Sequence, residues 1–192
     1  MAAATSCGDV ARQGKSPMQL VVNSLTAAPS GGPLKGQQSG TLLSDVITFV
    51  TTPAPCTPAS PCPTIFNDMA SAVLSGQTKN PTVAPTDVNA ITINRVHIEY
   101  VRADGRNTPG VDVPYAFDGA VTGTVFPGTP ATLSFEIVRH VSKEESPLVQ
   151  LETSNNIITT ICNVTFYGTD AAGNEVSVTG SIQIDFGNFA DQ

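Results

Sequence analysis

Asn156-Ile-Ile-Thr-Thr-Ile-Cys-Asn-Val-Thr-Phe-Tyr-Gly-Thr-Asp170-Ala-Ala-Gly-Asn-Glu175-Val-Ser-Val-Thr-Gly-Ser-Ile-Gln-Ile-Asp-Phe186 contains two alternating apolar runs around a turn sequence. Period two puts Ile158, Thr160, Cys162, Val164 and Phe166 on one face of the first run, and Val176, Val178, Ile182, Ile184 and Phe186 on one face of the second. The opposite faces carry Thr, Asn, Ser, Gln and Asp, the solvated side of an antiparallel pair. A turn from Thr169 to Gly173 would set Phe166 opposite Val176, Val164 opposite Val178, Cys162 opposite Gly180 and Ile158 opposite Ile184. Each buried Val, Ile or Phe contributes about 1.5–3 kcal/mol, and a lone hairpin cannot cover them. A second sheet must lie across this one, so the expected fold is an antiparallel β-sandwich.

The segment Val164-Thr-Phe-Tyr-Gly-Thr-Asp-Ala-Ala-Gly-Asn-Glu-Val-Ser-Val-Thr179 resembles the last hairpin of bacterial immunoglobulin-like domains, where an Asp-x-x-Gly-Asn turn joins the final two strands. The resemblance implies an all-β, immunoglobulin-like antiparallel sandwich of about 7–9 strands with at most one short helix, and it implies no activity. The segments 103–115 and 117–122 resemble parts of bacterial envelope proteins, lipoproteins among them, of unknown function. That likeness imports no chemistry either.

Composition agrees with strands joined by turns: 13% charged residues, 16 Gly and 15 Pro in 192 residues. This length suits one sandwich with decorations, read as an N-terminal arm or tether over 1–17 and a single domain over 18–192. A net charge of −7 with 9 Lys and Arg offers no basic run for phosphates, so nucleic acid is not an expected partner. No stretch reaches the eighteen or so apolar residues of a membrane span.

The four cysteines divide by context. Cys7, between Ala4-Thr-Ser6 and Gly8-Asp9, resembles the lipid-modified cysteine of a bacterial lipoprotein, with Ala4 where Leu is usual; a free thiol in a polar tail is the alternative. Cys56 and Cys62 bracket five residues in a segment, 51–63, that holds five prolines. The expected disulfide would close a short ring worth about 2.4 kcal/mol on the loop-entropy model and would place the protein outside the cytosol. Zinc is disfavoured by the spacing. Cys162 falls on the inward face of its strand and reads as a small buried hydrophobe.

Other strands are expected over 18–25, over 41–50 with a bulge near Asp45, over 65–79, and over 90–103 with a bulge at Asn94-Arg95. A second hairpin is expected over 121–126 and 132–140, and a short helix over 142–151 starting from Ser146-Pro147. His97 and His140 fall on polar strand faces. No nucleophile-base pair, phosphate loop or metal motif is present, so no catalytic or metal-binding residue is assigned and the chain reads as a non-enzyme.

The irregular loop after Val101 is the expected contact site for a ligand or partner, through Asp104, Asp112, Tyr115, Phe117 and Asp118. Its aspartates are of the type that ligates Ca²⁺, yet they lack EF-hand spacing, and Asp before Gly is ordinary turn chemistry. No cofactor is therefore expected, with Ca²⁺ held by these aspartates as the alternative. Together these features suggest an extracytoplasmic structural or accessory subunit, in the periplasm, on the outer membrane or at the cell surface, contacting other envelope proteins or itself. Two alternatives stay open: a fibre subunit whose first 40 residues add a strand to a neighbour, and a carbohydrate- or ligand-binding module using the 104–119 loop, although Trp is absent and sugar platforms depend on aromatics.

Overall fold

The computed structural model describes residues 14–189 except Pro33 and Val83. Cys7 and most of the N-terminal arm lie outside the described residues. Among those described, the strands are β1 (Met18–Ala28), β2 (Thr41–Asp45), β3 (Thr48–Val50), β4 (Cys62–Thr64), β5 (Asp68–Thr78), β6 (Ile91–Val101), β7 (Phe117–Val125), β8 (Ala131–Val138), β9 (Ile158–Asp170) and β10 (Glu175–Gly187), with one α-helix, α1 (His140–Glu144).

Eight strands form two facing sheets, in the orders β1-β5-β8 and β2-β10-β9-β6-β7, while β3 and β4 make a separate two-stranded piece. Neighbours pair antiparallel except β2, which runs parallel to β10. This is immunoglobulin-like connectivity: β1, β5 and β8 take the places of A, B and E, and β7, β6, β9 and β10 those of C′, C, F and G. The inward residues of both sheets share one core, including Leu20, Ala72, Leu74, Leu133 and Ile137 from one sheet and Ile93, Ile98, Val164, Phe166, Ile184 and Phe186 from the other. Phe135 and Phe166 meet edge-on across the sheets at 5.3 Å between centroids. The Tyr100 hydroxyl crosses the same gap to donate to the Ile137 carbonyl at 2.6 Å. Burial, and then the neighbouring Cys162 thiol, hold that phenol well above its ordinary titration range.

The β9–β10 register differs from expectation by two residues: Phe166 faces Val178, Val164 faces Gly180, Cys162 faces Ile182 and Ile158 faces Phe186. The cause lies in the turn. The Asp170 carboxylate accepts from the Ala172 and Asn174 amides and from the Asn174 side chain, and Gly173 takes φ +80°, so the strands pair as far as Thr169–Glu175. A shift of two leaves the inward set unchanged, because the side-chain period is also two.

Several expected elements are redrawn. The 41–50 strand does not bulge at Asp45 but divides there, β2 staying on β10 and β3 leaving to pair with β4. The Pro-rich segment keeps a three-residue strand, in which Pro63 faces Phe49. The strands over 121–126 and 132–140 are not a hairpin: β7 pairs with β6 and β8 with β5, so Pro127 to Pro130 carries the chain from one sheet to the other. The α-helix starts earlier than expected, at His140, while Ser146-Pro147 leads into a 3-10 turn over Leu148–Leu151 with Pro147 as its N-cap. The strand expected over 18–25 is present and longer, as β1, which pairs with β5 along its length and buries Met18, Leu20 and Ala27.

Candidate functional site

The bulge between Ile93 and Arg95 turns Asn94 and Arg95 outward in succession and then restores alternation, so Ile91, Ile93, Val96, Ile98 and Tyr100 all reach the core. Arg95 thereby lies on the outer face of the five-stranded sheet, its guanidinium 3.8 Å from the centroid of the Tyr167 ring across the β6–β9 pair. Its NH1 is 3.0 Å from an Asp118 oxygen, and His97 Nδ1 is 3.1 Å from the same oxygen. His97 is thus a strand residue tied to a neighbouring carboxylate. Hydroxyl and amide pairs continue the face, Thr165 with Thr179 at 2.8 Å and Ser181 with Asn163 at 2.9 Å. Asn94, Arg95, Thr165, Tyr167 and Thr179 line a shallow polar groove of about 610 Å³.

The loop residues singled out from sequence do not converge. Asp104 is gripped by Arg102 at 2.7 Å and Arg106 at 2.8 Å, Asp112 accepts from the Thr108 amide at 3.2 Å, and Asp118 lies in β7 with Arg95 and His97. Among the described residues no three His, Cys, Asp or Glu side chains gather as a metal site would require. Phe117 is buried in the core beneath the Arg139 guanidinium, 4.3 Å from its ring centroid, which leaves Tyr115, 52% exposed, as the accessible aromatic of the pair. The Tyr115 ring lies over Gly110, where φ is +75° and a Cβ would collide with it. Val113 and Pro114 are buried beside it and anchor the loop.

Hydrogen bonds from Arg102 and then Arg106 hold the Asp104 carboxyl far below the ordinary range. At Asp118 and Asp170 partial desolvation opposes the shift, but the bonds from His97 and Arg95, and from Asn174, outweigh it and lower both. A carboxyl that titrates lower in the fold than in the unfolded chain supports folding above the unfolded range, begins to lose that support as pH enters that range and has lost it once pH falls through the lowered folded value. The denaturation midpoint should therefore hold from pH 7 to 5 and fall below about pH 4. A midpoint that rises between pH 5 and pH 3 would contradict these three assignments.

Cys56 and Cys62 are joined, with Cα atoms 5.4 Å apart. The bridge staples the Pro-rich segment where β4 begins, and Thr57 and Ser60 bond reciprocally inside the ring at 3.0 Å. Cys162 is free and buried, and burial raises its thiol far out of reach of neutral pH. Cys56 and Cys62 are bonded to each other, so among the described residues no cysteine is left to join Cys162 across the sheets.

A second polar cluster was not legible in the sequence. Lys143 of α1 and Asp68 at the start of β5 are each 1% exposed and stand 2.8 Å apart. Lys143 also donates to the Asp45 carbonyl at 2.7 Å. Asp68 accepts from the Ser30 amide on Oδ1 at 2.9 Å and from the Ser44 hydroxyl on Oδ2 at 2.7 Å. Asp45, also buried, accepts from Thr48 and from the Phe189 amide, both at 3.2 Å. Asp68 follows Asn67 in an ordinary loop-to-strand transition and Lys143 opens the run Lys-Glu-Glu, so neither carries a local sign of burial.

These features define an immunoglobulin-like β-sandwich with a stapled Pro-rich loop and a charged, aromatic outer sheet face. No family model matches the chain, and comparison with curated proteins and with solved structures returned no match.

Proposed function

We propose that this chain is a non-enzymatic extracytoplasmic module, a structural or accessory subunit that makes protein–protein contacts in a bacterial envelope assembly. The observation that carries this reading is the outer face of the five-stranded sheet, where Arg95 stacked on Tyr167 stands among paired Thr, Ser and Asn side chains. Arg and Tyr are enriched where proteins meet, because each combines apolar area with directional hydrogen bonding. The Cys56–Cys62 bridge supports an oxidising compartment, and no helix among the described residues is long and apolar enough to cross a membrane. Tethering through Cys7 belongs to the same proposal.

The test is sedimentation of envelope extracts from the protein's own host. The chain is expected in a complex larger than its 19.9 kDa, and Arg95→Glu with Tyr167→Ala is expected to release it while leaving its melting temperature within a few degrees. A wild-type chain that sediments only as a 19.9 kDa monomer would overturn the reading, and a complex made solely of this chain would replace it with the fibre-subunit alternative.

A further inference from the structure

We infer that Lys143 and Asp68 condense into a side-chain amide that covalently ties α1 to β5. The two groups are complementary, in contact at 2.8 Å, and each is 1% exposed, so the pair reacts without competing water. Their surroundings suit the reaction atom by atom. The Ser30 amide donates to Oδ1 and would stabilise the negative charge that develops there when the carbonyl carbon is attacked. The Ser44 hydroxyl donates to Oδ2, the oxygen that must leave, and the Asp45 carbonyl accepts from Nζ and aims it.

The step balances without any co-reactant. One Nζ proton passes to Oδ2, giving a neutral amine and a neutral carboxylic acid. The Nζ lone pair forms the bond to Cγ, a second Nζ proton follows to Oδ2, and that oxygen departs as water. The remaining Nζ hydrogen stays on the Asp45 carbonyl and Oδ1 stays on the Ser30 amide, so both polar groups of the new amide are already satisfied. A buried opposite-charge pair becomes one neutral group, which removes the desolvation penalty of two ions. The tie would close a loop spanning β5 to α1 across the two sheets.

The experiment is mass spectrometry on the full chain after folding and then reduction of the disulfide. The expected mass is about 18 Da, one water, below that of the sequence. Because Asp104-Gly105 or Asp118-Gly119 could lose water by cyclising, the linkage is located by trypsin, which cuts after Lys and Arg. A linked chain leaves Lys143 uncut and releases segments 36–79 and 140–192 as one species. Lys143→Arg is expected to restore the full mass. The full sequence mass in the folded wild type, or a water loss that maps outside Asp68 and Lys143, would overturn the inference. Should the Arg variant fail to fold, the wild-type digest still decides.

Discussion

Lys143→Met should lower the unfolding free energy by about 3–5 kcal/mol, because it removes one partner of a buried ion pair and leaves Asp68 charged in the core. For a chain of this size that corresponds to roughly 6–20 °C in melting temperature. The ion pair alone supports this figure, and a covalent tie would add to it. Adding Asp68→Asn to Lys143→Met should recover part of the loss, since the amide oxygen can still accept from Ser30 without a buried charge. Denaturant titration of the two variants checks the pair. A Lys143→Met change below about 1 kcal/mol would mean that water reaches the site and that the charge is not stranded.

A chain starting at Thr41 is expected not to fold. Removing everything before it deletes β1, whose pairing with β5 runs from Met18–Thr78 to Ala28–Met69, and uncovers the β5 edge. It also removes Met18 and Leu20 from the core, each worth about 1.5–3 kcal/mol, from a total stability on the order of 5–15 kcal/mol. Circular dichroism and a denaturation curve of the truncated chain give the answer. A cooperative transition at the wild-type midpoint would show that β1 is dispensable, as a polar arm would be.

The strand pattern of the C-terminal half was legible because its alternation is strict, and residues such as Val164, Phe166, Ile182 and Ile184 can face only one way. The disulfide was legible for a different reason: six residues apart in a proline-rich stretch, Cys56 and Cys62 have no easier fate in an oxidising compartment. What period two cannot fix is a slip by two, and there the Asp170 side chain decided by moving the turn one residue along the chain. Nor can local pattern say which sheet a strand joins. Pro127 to Pro130 suits a hairpin as well as a crossing, and only the demand that β8 cover the other side of β5 selects the crossing.

The candidate site was legible in part. Asp104, Asp112, Tyr115 and Asp118 were flagged by composition; Asp104 and Asp112 find their partners close by in sequence, in Arg102, Arg106 and Thr108, whereas the partners of Asp118, Arg95 and His97, come from the neighbouring strand β6 and its bulge. The Tyr167 face was hidden in an alternation that looked merely polar. Lys143, Asp68 and Asp45 lie at positions 143, 68 and 45, and nothing short of the folded chain brings them together.

The claim that the outer sheet face meets another protein is tested most directly by placing a photo-reactive residue at Thr179, on the groove, in the full chain expressed in its host. One defined higher-mass adduct is expected from Thr179, and none when the residue is placed at the exposed Val88. No adduct from Thr179, or equal labelling from both positions, would contradict it.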